Sequence, residues 1–223
     1  MPSSQFGQIS PLAWLILELD PQSVLDIGPG FGKYGFLARE YLELWFRTED
    51  YAKLTRRIDA IEVFGPYVTP LQRSIYNEIH IGDAIGVLPQ LATYDLVLLI
   101  DVLEHLDKLD GIRLLTASLQ KGSFVIVSTP KNPAPQGAHF GNVHERHTSA
   151  WTKRELRGIA PALFLHEPQS LVALLSMSKD HVDKKRSTLL FMNVYHNMPV
   201  PVRRLLSLRF ASHPRDASAP PRA

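Results

Sequence analysis

Short apolar runs alternate along the chain with stretches of helical periodicity. Ser23-Val24-Leu25-Asp26-Ile27, bounded by Asp20-Pro21 in front and Gly28-Pro29-Gly30-Phe31-Gly32 behind, predicts a strand. Ahead of it, Pro11 to Leu19 places Leu12, Leu15, Ile16 and Leu19 at helical spacing with proline at the start. The glycine-rich turn opens into Lys33 to Leu44, where Phe36, Leu37, Tyr41 and Leu44 fall on one predicted face. Further strands are predicted at Arg57 to Phe64, at Ile79 to Ile81 and at Tyr94 to Ile100. The last is almost wholly apolar, as a central parallel strand covered on both faces should be. Leu109 to Gln120 carries Ile112, Leu115 and Leu119 on a helical stripe, and Ser123 to Ser128 reads as another buried strand. Strands and helices alternating at this spacing predict a doubly wound, mostly parallel α/β sheet.

The final third is less regular. Pro133 to Ser149 contains His139, His144 and His147 with little periodicity and predicts a long loop, a feature that in compact domains is usually functional or disordered. It ends at a predicted helix start, where Thr152 and Glu155 have capping-box spacing. Phe164 to His166, Leu171 to Met177 and Leu189 to Tyr195 are strand candidates, among which an antiparallel hairpin is expected.

Composition narrows the chemistry. The 223 residues are 45% hydrophobic and 21% charged, enough for one domain with a full core. There is no cysteine, so disulfides, thiolate metal sites and cysteine nucleophiles are excluded. The formal charge is +2; Val200 to Ala223 holds five Arg and one Asp, hence +4, leaving 2 − 4 = −2 for the first 199 residues. The expected division is therefore a domain over 1–199 and a basic, Pro/Ala-rich tail over 200–223. No apolar run approaches the roughly 18 residues of a membrane span, and the start has no targeting pattern. A cytoplasmic protein is expected.

Strand, Gly-x-Gly-x-Gly and helix form a nucleotide-type site, because glycines admit a ligand to the backbone and a helix start offers free N–H groups. A dinucleotide fingerprint beginning at Gly28 would need a small residue at 33, which is Lys, and a phosphate-binding loop would need a longer gap and a Ser or Thr after Lys33. Neither pattern fits.

With the segment Val24 to Gly32, Glu62 closing the second strand, Gly82-Asp83-Ala84, and Tyr94 to His105 in this order, the chain resembles the class I S-adenosylmethionine-dependent methyltransferases over roughly Val24 to Asn132. The resemblance implies a Rossmann-like, seven-stranded sheet with an antiparallel C-terminal strand, S-adenosylmethionine as cofactor and S-adenosylhomocysteine as product. It implies a cofactor site made of Asp26, Gly28, Pro29, Gly30, Gly32, Glu62, Val63, Phe64, Asp83, Ala84, Asp101 and Val102. Asp26 would face the ammonium, Glu62 both ribose hydroxyls, Val63 and Phe64 the adenine, and Asp83 with the Ala84 N–H its polar edge. One departure is the 30 residues from Gly32 to Glu62 (62 − 32), against roughly 20 in such folds. The excess, Leu42 to Arg56, predicts an inserted loop or lengthened helix beside the cofactor site.

The methyl acceptor is expected beyond the carboxyl ends of the strands, near Asp101 and the loop holding the histidines. Asp101 could face the reaction centre or cap the following turn. His144 and His147 are the candidate general bases, with structural hydrogen bonding as the other reading; His105 and His139 are read as structural. His144 and His147 are three apart in a loop rather than four apart on a helix, so no metal is expected. The resulting expectation is methylation of a hydroxyl on a small molecule such as a sugar or polyketide, in biosynthesis. Methylation of nitrogen, of nucleic acid or of protein is the alternative. Membrane partners are not expected, nucleic acid is disfavoured, and a homodimer stays open.

Overall fold

A computed structural model describes residues 5–45 and 53–198. The chain order is α1 (Ile9–Leu19), β1 (Ser23–Ile27), α2 (Lys33–Arg39), β2 (Arg57–Glu62), α3 (Pro70–Ile75), β3 (Ile79–Ile81), α4 (Ala84–Val87), β4 (Tyr94–Ile100), α5 (Lys108–Lys121), β5 (Gly122–Pro130), α6 (Lys153–Ile159), β6 (Ala162–Leu165), β7 (Ser170–Leu175) and α7 (Lys179–Asn197). The strands form one seven-stranded sheet in the order β3-β2-β1-β4-β5-β7-β6. β7 runs antiparallel to β5 and to β6, and the other pairs are parallel. The order reverses direction between β1 and β4, where an open α/β sheet leaves a crevice at the carboxyl ends of its strands.

Period-two alternation explains why β4 is apolar from Leu96 to Ile100. Leu96, Leu98 and Ile100 enter the core beneath α1, α2 and α7, whereas Val97 and Leu99 enter the opposite core with Leu114, Leu115 and Leu119 of α5. The expected hairpin is β6–β7, and the capping box at Thr152 and Glu155 starts α6.

Three sequence expectations change. Leu189 to Tyr195 lies inside α7: Val182, Leu189 and Met192 are buried, while Leu190 and Val194 are exposed, so the apolar run is divided between helix faces. In α2 the buried positions are Tyr34, Ala38 and the following Leu42, at i, i+4 and i+8, and Phe36 is 53% exposed. On α5, Ile112 is likewise exposed and Leu114 replaces it in the core.

The long connection from α2 to β2 is tied at its base. α2 continues as a π turn over Glu40–Leu44, and the buried Glu43 accepts from the Thr55 and Arg56 N–H groups and from Arg39. Arg39 in turn donates to the carbonyls of Ile75 and Arg56. None of 42–45 or 53–56 lines the crevice, so the described ends of the insertion stand away from the expected cofactor site. Its centre and the basic tail over 200–223 lie outside the described residues. Among the described residues no helix is long and apolar enough to cross a membrane.

Candidate active site

A cavity of about 580 Å³ occupies the crevice, within the range of roughly 300–1,000 Å³ typical of ligand sites. Its floor is the turn after β1. Gly28 and Gly30 adopt φ of 69° and 54°, in the left-handed region that side chains rarely tolerate. A Cβ on Gly28 would lie 2.9 Å from Val102 Cγ2, so the turn passes close to the segment that follows β4. Gln72 of α3, buried, holds this turn by donating to the Gly30 carbonyl at 2.8 Å. Pro29 also lines the cavity.

Gly32 does not line it. A Cβ there would meet Ile75 Cδ1 at 2.9 Å, so this glycine clears the packing of α3 and begins α2. Phe64 is absent from the wall as well: its ring packs edge-on against Tyr67, centroids 5.0 Å apart, and Tyr67 lines the cavity instead. Val63 lines it with partial exposure.

Acidic groups ring the cavity. Asp26, 2% exposed, accepts from the Tyr76 hydroxyl at 2.6 Å, and burial raises its pKa to about 6 despite that bond. Glu62, 4% exposed, accepts from the Phe64 N–H at 2.8 Å; burial raises its pKa, and the neighbouring Glu145 and Asp26 add to the shift. Asp83 spends one oxygen on the Ile85 N–H at the start of α4, next to Ala84, and both residues line the cavity. Asp101 sits at φ 54°, a strained conformation for a residue with a side chain. The Gln8 amide donates to it at 2.7 Å, and Gln8 in turn accepts from Ser128. Of its two candidate roles, facing the reaction centre or capping the next turn, capping is not seen: that turn starts from Val102, which also lines the cavity.

The histidine loop folds over the far end. Gln136 donates to the Glu145 carbonyl, the Thr148 and Ser149 N–H groups donate to the Glu104 carbonyl, and the Trp151 indole donates to the Leu103 carbonyl. His139, His144 and His147 all reach the cavity, as does His105. The Nδ1 of His147 lies 2.7 Å from the Ala134 carbonyl, which can only accept, so Nδ1 carries a proton and, in the neutral ring, Nε2 carries the lone pair. Sequence reasoning does not place Tyr67, Gln72, Tyr76 or Glu145. The Thr69-x-x-Gln72 capping box is legible in the sequence, but it announces a helix start and not a residue that fixes the glycine turn.

Solved structures share this architecture. A SAM dependent methyltransferase from Archaeoglobus fulgidus matches with a TM-score of 0.56, 16% identity, and coverage of 75% of this chain and 91% of that one. The N-terminal domain of EvdMO1 with SAH bound matches with a TM-score of 0.55, 14% identity and coverage of 75% and 80%. An O-methyltransferase family protein from Burkholderia thailandensis matches with a TM-score of 0.54, 10% identity and coverage of 77% and 57%, so the chain spans little more than half of that protein. No protein-family model matches the sequence, and no curated protein matches it. The chain has the fold of the S-adenosylmethionine-dependent methyltransferases.

Proposed function

We propose that the protein transfers the methyl group of S-adenosylmethionine to a hydroxyl of a small molecule. The observation that carries this reading is one continuous cavity joining a glycine-only turn, a ring of acids and the loop histidines at the switch point of the sheet. Asp26, Glu62, Asp83, Asp101 and Glu145 face it together with Lys33, so its field favours a cationic ligand. S-adenosylmethionine carries an ammonium and a sulfonium, and when bound it supplies an electrophilic methyl open to in-line attack.

The residues fit this cofactor. Glu62 takes the ribose hydroxyls with the oxygen not used by Phe64, Asp26 faces the ammonium, and Val63 with Ala84 borders the adenine. His147 receives the acceptor's hydroxyl proton at Nε2, its ring held by the Ala134 carbonyl. The loop and the turn after β4 exclude water around the reacting atoms.

Calorimetry with S-adenosylmethionine tests the reading: saturable 1:1 binding is expected, and no heat at millimolar cofactor overturns it. Glu62→Ala should weaken that binding about 10- to 100-fold, the worth of a charge-assisted hydrogen bond, with an unchanged circular dichroism spectrum. Unaltered affinity would remove Glu62 from the site. His147→Ala should lower turnover about 100-fold or more while leaving cofactor affinity within a factor of about two. A loss confined to cofactor binding would contradict its assignment to the acceptor side.

A further inference from the structure

Behind the acceptor end of the cavity, Glu104, His105 and His147 each offer one ligand atom, all within 4.8 Å of one another. The sequence separates the two histidines by 42 residues (147 − 105), and the fold joins them by backbone bonds: the Glu104 carbonyl accepts from Thr148 and Ser149, and His105 pairs with the Arg146 carbonyl. We propose that these three side chains form a binding site for a divalent first-row transition-metal ion, contrary to the sequence expectation of no metal.

Two independent features point to a ligand there. Glu104 is 1% exposed, and among the described residues its Oε2 makes no well-formed hydrogen bond, although the Thr129 hydroxyl and its own backbone N–H interact with the carboxylate. A buried carboxyl oxygen without a well-formed hydrogen bond is a group awaiting a proton or a cation. The Nδ1 of His105 lies 3.2 Å from the Arg146 carbonyl and that of His147 lies 2.7 Å from the Ala134 carbonyl; in the neutral rings that contact puts the proton on Nδ1 and the lone pair on Nε2, the arrangement found in metal-binding histidines. The rings sit side by side, centroids 5.1 Å apart.

The donor set selects the ion. Two neutral imidazoles and one carboxylate suit zinc, manganese, cobalt or iron better than magnesium or calcium, which prefer all-oxygen shells. Bonds of about 2.0–2.2 Å require the three donors to close from their present separation, a shift within reach of side-chain torsions. Three protein ligands leave a coordination position open, and all three residues line the cavity, so that position faces the acceptor. Resting on the methyltransferase reading for this last step, the ion would bind the acceptor hydroxyl and lower its pKa; the O–H bond breaks with the proton passing to water at the cavity mouth, the oxygen bonds to the methyl carbon, and the methyl–sulfur bond breaks to release S-adenosylhomocysteine. With its Nε2 on the ion, His147 then serves as a ligand in place of the base role given to it above.

The test is titration of chelator-treated full-length protein with Co²⁺, read by its visible absorption, and with Zn²⁺, read by calorimetry. One ion per chain is expected. Loss of an outer partner of a metal site costs about 10- to 100-fold in affinity, so Glu104→Gln and His147→Ala, which remove ligands themselves, should each lose about 100-fold or more. The control variant His80→Ala, on β3 and outside the cavity, should lose nothing. Absence of a cobalt spectrum in the parent protein, or equal affinity in all four proteins, overturns the site. If Glu104→Gln does not fold, His147→Ala decides alone. Measuring S-adenosylmethionine binding on the same samples separates the two readings: cofactor binding without metal binding sinks only this site, and metal binding without cofactor binding sinks only the methyltransferase assignment.

Discussion

Gly35→Ala is expected to destabilise the protein by about 3 kcal/mol, although glycine to alanine inside a helix ordinarily gains up to about 1 kcal/mol. A Cβ on Gly35 would stand 2.3 Å from Tyr76 Cε1 and 2.4 Å from its hydroxyl oxygen. The ring cannot step aside freely, because it is buried and its hydroxyl is bonded to Asp26 at 2.6 Å. Overpacking of a well-filled site typically costs about 1–3 kcal/mol, and here the Tyr76–Asp26 bond is lost as well. Urea denaturation of Gly35→Ala, Tyr76→Leu and the double variant checks the cause: the smaller leucine side chain should accommodate the new methyl, so the double variant should be less destabilised than the sum of the two. Simple additivity would show that the collision is not the source.

Asp26→Asn is expected to flatten the pH dependence of stability. The Asp26 pKa is raised from 3.8 to about 6 by burial, so the folded protein holds this proton more tightly than the unfolded chain does. Its contribution to stability is therefore complete below about pH 4 and is lost as pH rises through about 6. A shift of about two units corresponds to roughly 3 kcal/mol. Asparagine keeps an acceptor for the Tyr76 hydroxyl and does not titrate. Relative to the parent, Asp26→Asn should thus be about 2–3 kcal/mol more favourable at about pH 7.5 than at about pH 4. A difference in stability that does not vary between those pH values would show that Asp26 titrates normally. A bound ammonium reverses the shift, so parental affinity for S-adenosylmethionine should rise as pH passes about 6, and that rise should vanish in Asp26→Asn.

Both predictions rest on Tyr76, which no pattern in the sequence connects to Asp26 or Gly35. The same holds for the convergence of Glu104 and His105 with His147. Along the chain, His144 and His147 read as a local motif whose spacing argues against a metal; the structure groups His147 instead with residues on the turn after β4. In α7, the apolar cluster Leu189 to Tyr195 resembles a strand because its polar neighbours, such as Asn193, hide a helical period. Asn193 in fact bonds the His166 N–H at the end of β6.

The features legible in the chain alone are local in origin. Glycines at 28 and 30 demand a backbone that other residues resist, an apolar run over 96–100 in β4 demands cover on both faces, and acids near the ends of β1 and β2 stand out inside apolar runs. These features fix the doubly wound sheet and the crevice at its switch point. The partners of those groups are settled only when the chain is folded, because a hydrogen bond or a ligand cluster depends on where distant segments cross. The carbonyl contacts of His105 and His147, the poorly satisfied oxygen of Glu104 and the raised pKa of Asp26 follow from carbonyls, rings and burial supplied by other parts of the chain.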